Sequence, residues 1–148
     1  MSLLDEDFTS GLGAFRPGGS IDVKYYENIL GRTGLVRIQR NGDGSAISTS
    51  PIPFEHSYSK AKVTFSFYPN SMETSDRFCL EYKTGSSWNR SKCWSRSEFS
   101  NGKWYDNVSQ DFSLPGGSSE LSIRFICAAS SIHDDILFDR VKLEAYIE

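Results

Sequence analysis

The stretch His133-Asp134-Asp135-Ile136-Leu137-Phe138-Asp139-Arg140-Val141-Lys142-Leu143 decides the fold. Ile136 and Phe138 alternate in one phase, while Val141, Leu143 and Ala145 alternate in another. Side chains on a strand repeat every two residues, so both sets reach one core only if an extra residue stands between them. That is the pattern of a long strand with a bulge near Asp139-Arg140, and a bulge re-aims the side chain at its kink. The stretch reads as a closing strand in the middle of a β-sandwich, with the Asp139 carboxylate positioned by the fold.

Working outward, Lys60 to Tyr68 is the clearest strand: Ala61, Val63, Phe65 and Phe67 face in, and lysine, threonine and serine face out. Arg77 to Tyr82 repeats the alternation and pairs as a hairpin with Trp88 to Ser95. If Gly85-Ser86-Ser87 is the turn, Cys79 and Cys93 stand directly opposite each other at a spacing a disulfide can bridge. Two buried thiols remain the alternative. The same pairing puts Trp94 in phase with Phe78, hence in the core. Cys127 shares the phase of Ile123 and Phe125 and is expected to be buried. Leu35 to Gln39 reads as a strand with Val36 and Ile38 inward, ending at the turn Asn41-Gly42-Asp43-Gly44. Ala46 to Ser50 is a polar β segment stopped by Pro51 and Pro53, which suits an edge or a loop. Ile21 to Tyr25 alternates, Asp5 to Leu12 reads as a short entry strand and turn, and Leu121 to Phe125 alternates again. No stretch carries a 3.6-residue apolar period. About ten short strands separated by turns make one all-β domain over residues 1–148, an antiparallel sandwich of the jelly-roll kind.

Composition bounds the function. The chain has 148 residues, 38% hydrophobic, with a formal net charge of -3 and a pI near 5.4. One full core fits that length. The acidic balance argues against a nucleic-acid binder, which needs a clustered basic face. No apolar run approaches the ~18 residues of a membrane span. Met1-Ser2-Leu3-Leu4 runs straight into acidic residues with no visible signal peptide, which does not make the protein cytosolic.

Asp7-Phe8-Thr9-Ser10-Gly11-Leu12-Gly13-Ala14-Phe15 resembles the opening "D-F-E-x-G-L-x-x-W" of jelly-roll carbohydrate-binding modules and of MAM-type adhesion domains. Ile136 to Leu143 resembles their closing "I-x-I-D-D-V-x-L", and Phe78 to Tyr82, Gly85 to Trp88 and Ile123 to Phe125 resemble their central strands. Thr9 stands where those families often have glutamate, Phe15 where they often have tryptophan, and Arg140 in place of the second aspartate of the closing pair. The resemblance implies a non-catalytic carbohydrate-binding module of a larger secreted or cell-surface protein, with a polysaccharide or glycan as partner. The alternative is a MAM-like adhesion or assembly domain whose partner is another protein or itself. It also implies a structural calcium between the entry and closing strands. Asp7 and Asp139 are the matching ligands, and carbonyls or Thr9 complete the six to eight oxygens calcium takes. Without an ion, Asp139 pairs with Arg140 or accepts backbone hydrogen bonds at the bulge.

Sugars are held by flat aromatic faces flanked by groups that bond hydroxyls. The candidates are Trp88 at a hairpin tip, Trp104 and Tyr105 after the Asn101-Gly102 turn, Tyr68 at a strand end, and Tyr25-Tyr26. Adjacent residues on a strand point to opposite faces, so only one of Trp104 and Tyr105 enters the core. For catalysis the chain offers only His56 and His133, neither near a nucleophile motif, and acidic pairs whose members diverge on a strand. His133-Asp134-Asp135 fits loop solvation as well as metal. An enzyme is not expected. Asn89-Arg90-Ser91 and Asn107-Val108-Ser109 match the glycosylation acceptor pattern, which matters only in a secretory pathway.

Overall fold

The computed structural model describes residues 1–18, 23–39, 45–128 and 134–148. The chain runs β1 (Ser2–Glu6), β2 (Phe15–Gly18), β3 (Val23–Ile29), β4 (Arg32–Gln39), β5 (Ala46–Thr49), β6 (Ile52–Pro53) and β7 (Lys60–Asn70). It continues through β8 (Arg77–Lys83), β9 (Asn89–Ser95), β10 (Tyr105–Ser113), β11 (Glu120–Ala128) and β12 (Asp135–Tyr146). The helical element among the described residues is one 3-10 turn, Arg96–Glu98, so no helix there is long and apolar enough to cross a membrane. The expected Asn41–Gly44 turn, Ile21-Asp22 and His133 lie outside the described residues.

Two antiparallel six-stranded sheets face each other. The first has the order β10-β7-β12-β4-β3, with β1 also paired to β12; the second has the order β2-β5-β11-β8-β9, with β6 also paired to β11. The bulge falls where the alternation requires it. Phe138 pairs with Phe67 and Arg140 with Ser66, which leaves Asp139 as the extra residue on β12. β12 changes its second neighbour at the same point. Asp135 to Phe138 pair with β4, whereas Val141 to Glu144 pair with β1. The single added residue lets Ile136, Phe138, Val141, Leu143 and Ala145 all reach the core fully buried.

The core is a sheet-on-sheet aromatic contact. Phe65, Phe67 and Phe138 come from the first sheet, and Phe78, Trp94 and Phe125 from the second. Phe125 lies 4.5 Å from Phe138 and 4.9 Å from Phe65 between ring centroids, and Trp94 stacks on Phe78 at 5.1 Å. Each such side chain contributes roughly 1.5–3 kcal/mol by leaving water. Where β1 exits, the backbone of Asp7 and Phe8 crosses Gly34. A Cβ there would meet the Phe8 carbonyl oxygen at 2.7 Å, and Gly34 also holds φ +77, so only glycine fits.

One expectation is corrected. β5 is an interior strand between β2 and β11 rather than an edge or loop. Its polar residues are tolerated because Thr49 Oγ1 accepts the buried Ile123 N–H at 3.1 Å, and Pro51 follows the strand's end. Cys79 and Cys93 are cross-strand partners and form a disulfide, while Cys127 is a buried free thiol. Burial, and after it the charges of Asp135, Asp76 and Asp134, pushes that thiol's pKa up to about 12.

The disulfide closes a loop with a sequence separation of 14, for which loop-closure entropy gives about 3 kcal/mol. Cys79→Ser/Cys93→Ser is therefore expected to lower Tm by roughly 6–12 °C in a thermal melt, while Cys127→Ala shows no added sensitivity to reductant. An unchanged Tm in the double variant would remove the bridge from the stability account.

Candidate functional site

On the outer face of the first sheet, alternation points outward Tyr26 of β3, Arg37 of β4, Asp135 and Leu137 of β12, and Tyr68 and Asn70 of β7, with Asp135 and Leu137 buried beneath their neighbours. Leu137 is flanked by Tyr68 on one side and Arg37 on the other, and Asp135 stands directly opposite Asn70. With Ile29 and Leu30 these residues wall a hollow of about 230 Å3. Arg37 Nη1 donates to Tyr26 Oη at 3.0 Å, which orders both side chains. The Asp135 carboxyl is held above the ordinary aspartate range by burial, against the lowering pull of a hydrogen bond from Asn70 and the charge of Arg37. Asp135 Oδ1 and Arg37 Nε are both buried and have no hydrogen-bond partner among the described residues.

Next to the hollow, Arg32 organises a second group of side chains. Its Nη1 donates to Asp106 Oδ1 and to Asp139 Oδ2, both at 2.7 Å, and its Nη2 to Asp106 Oδ2 at 3.0 Å. The guanidinium carbon lies 4.0 Å from the centroid of the Trp104 ring. Trp104 Nε1 donates to the Leu30 carbonyl at 3.4 Å, and Tyr68 meets the indole at 5.4 Å, tilted by 57°. Asp139, aimed by the bulge, thus fixes an arginine that backs an indole. The Arg32 hydrogen bonds hold the Asp106 carboxyl below its usual range. Beyond Asp139 along β12, Thr64, Ser66, Asn107, Arg140, Lys142 and Glu144 line a second hollow of about 250 Å3 on the same face.

Of the aromatic candidates, the structure brings Tyr68, Trp104 and Tyr26 together. Tyr105 turns the other way: its ring stacks on Phe67 at 4.9 Å and its hydroxyl oxygen accepts the Ser100 N–H. Tyr25 also packs against the core. Trp88 lies on the second sheet, beneath Arg124 and Lys83, so it belongs to no common site with Trp104. His56 is exposed and meets Tyr58 edge-on. Arg37 and Arg32 escaped the sequence reading because nothing in a strand's alternation tells which cations share a sheet with which aromatics.

The expected calcium pair behaves differently. Asp7 Oδ1 accepts from Thr9 N and Oγ1, and Asp139 Oδ2 accepts from Arg32, while Arg140 binds Asp5. Among the described residues, the acidic group that closes is instead Glu73, Asp76 and Asp134, with one carboxylate oxygen from each within 4.8 Å of the others. Asp76 and Asp134 are each 1% exposed, and Asp76 Oδ2 accepts the Glu73 N–H at 2.7 Å. Three carboxylate oxygens this close together are hard ligands of the kind that can hold a cation.

No family model and no curated protein sequence matches the chain. Solved structures do. The CBM22-1 xylan-binding domain of Xyn10C from Paenibacillus barcinonensis superposes with a TM-score of 0.70 at 12% identity, over 100% of this chain and 96% of that one. TmCBM61, solved with β-1,4-galactotriose, gives 0.65 at 11% identity, over 98% and 99%. The C-terminal family 22 module of Clostridium thermocellum Xyn10B, whose cleft residues were studied in ligand binding, gives 0.64 at 11% identity, over 97% and 94%.

Asp135 yields a pH prediction. Because its folded pKa is raised, its proton is bound more tightly folded than unfolded. The stability this lends is complete below the unfolded value near 3.8 and is lost as pH rises through the folded one. Asp135→Asn, which stays neutral, should gain on the native chain between pH 4 and pH 7 in paired urea titrations. An unchanged difference between the two pH values would contradict the buried placement. On geometry and extent alike, the chain has the jelly-roll β-sandwich fold of carbohydrate-binding modules.

Proposed function

We propose that this protein is a non-catalytic module that holds a neutral polysaccharide strand in the groove walled by Tyr26 and Tyr68 and extended past Tyr68 by the neighbouring Trp104. The observation that carries this reading is the pairing of aromatic walls with two buried polar atoms, Asp135 Oδ1 and Arg37 Nε, that have no hydrogen-bond partner among the described residues. A pyranose offers what those groups lack: C–H faces for the rings and hydroxyls that both donate to a carboxylate and accept from a guanidinium. The named neighbours bind xylan and β-1,4-galactotriose, which directs the first trials to β-1,4-linked chains. The disulfide suits an oxidising setting outside the cell.

We further propose that calcium joins Glu73, Asp76 and Asp134. It would take one oxygen from each carboxylate and tie the segment after β7 to the residue just before β12, with no part in any chemical step.

Two measurements test these readings. In affinity gels containing xylan or β-1,4-galactan, Tyr68→Ala and Trp104→Ala should each weaken retention about tenfold or more, equivalent to about 1.4 kcal/mol, at unchanged Tm. Trp88→Ala should have no effect, and full retention by both groove variants would reject the site. Chelation should lower Tm by several degrees and Asp76→Asn should abolish that response; a melt indifferent to chelator would remove the ion.

A further inference from the structure

The outer face of the second sheet carries a different chemistry. Strand register places Arg16 opposite Ser48, Ser48 opposite Arg124, Arg124 opposite Glu81, and Glu81 opposite Arg90. These five residues form one row across β2, β5, β11, β8 and β9. The row crosses four inter-strand gaps and so spans about 19 Å. Glu81, only 6% exposed, is roofed by its arginines. Its Oε1 accepts from Arg124 Nε at 2.7 Å and Nη2 at 2.6 Å, and its Oε2 from Arg90 Nε at 3.1 Å. One carboxylate therefore fixes two guanidinium groups and leaves Arg124 Nη1 and both terminal nitrogens of Arg90 without a partner among the described residues. Beside the row, Trp88 is covered by the Arg124 guanidinium at 4.3 Å and by Lys83 Nζ at 4.9 Å from its centroid. Among the described residues, Arg16 and Lys83 pair with no carboxylate. Arg90, Arg124 and Lys83 thus stand near one buried acid, with Arg16 at the far end of the row, on a chain whose net charge is -3. Glu120, four residues before Arg124 on β11, is the further acid along that strand's face.

We propose that this face is a second polysaccharide site, built for a polyuronate lying across the strands from Arg16 to Arg90. Guanidinium groups held in fixed orientation match planar carboxylates two bonds at a time. A polyuronate presents such carboxylates at regular intervals along an extended chain, and the Trp88 ring helps hold Arg124 and Lys83 in place beside them. Preorganisation by Glu81 lowers the ordering cost that flexible surface cations would incur on binding. The site lies on the opposite outer face from the Trp104 groove, so the two stand or fall separately, and one module would bridge a neutral and an acidic polymer.

The test is affinity electrophoresis of the whole chain in gels containing polygalacturonate, dextran sulfate, single-stranded DNA or xylan. The native chain should be retarded by polygalacturonate. Arg16→Ala/Lys83→Ala, which breaks no ion pair, should weaken that retardation at least tenfold with Tm unchanged. Trp104→Ala should retain it in full. Absence of retardation, or retardation indifferent to the double variant, overturns the proposal. Equal retardation by dextran sulfate or DNA also overturns it, since charge alone would then be read. Loss in Trp104→Ala would place the acidic polymer in the groove instead.

Discussion

A strand that must bury both halves of its length in one core, while changing neighbours midway, needs one residue too many. β12 meets that constraint at Asp139. Its first half is zipped to β4 and its second to β1, with β7 continuous along the other edge. Without the extra residue, Val141, Leu143 and Ala145 would turn to solvent, and the sheet would lose half of its central burial. The same residue then acts on the outer face. Its carboxylate orients Arg32, Arg32 lies against Trp104, and Trp104 packs on Tyr68, which lines the groove. Core register and site geometry are thus one arrangement read from two sides.

The two outer faces differ in how they handle charge. On the first, arginines hold aromatics in place, and the buried atoms with no hydrogen-bond partner among the described residues include Asp135 Oδ1, Asp139 Oδ1 and Arg37 Nε. On the second, a buried carboxylate is spent holding cations in place, and the groups left over are positive. The proposed neutral ligand would meet the buried polar atoms of the first face, and the proposed anionic one the oriented guanidinium groups of the second.

Much of this was legible in the sequence, and the reason is period two. It exposed the bulge in β12, the inward faces of β7 and β4, the Cys79–Cys93 opposition, Trp94 in the core, and the fact that Trp104 and Tyr105 must part company. Which of that pair faced out was not legible, because alternation is symmetric and only the packing of Tyr105 on Phe67 decides it. β5 misled because its polarity resembles an edge; Thr49 satisfies a neighbour's backbone from inside the sheet, a contact 74 residues away in sequence. The acidic cluster was hidden for a similar reason. Glu73 and Asp76 lie within one short segment, but their meeting with Asp134 depends on tertiary closure that local spacing does not encode.

The chain's three tryptophans make the central claim directly measurable. Trp88 lies on the outer face of the second sheet, Trp94 in the core and Trp104 at the groove, so a 15N-labelled sample gives three separate indole N–H signals. Titration with a soluble β-1,4-linked xylo-oligosaccharide should move the Trp104 signal in proportion to occupancy and leave Trp94 and Trp88 in place. Movement of Trp88 with Trp104 unmoved would contradict the groove as the site for a neutral glycan.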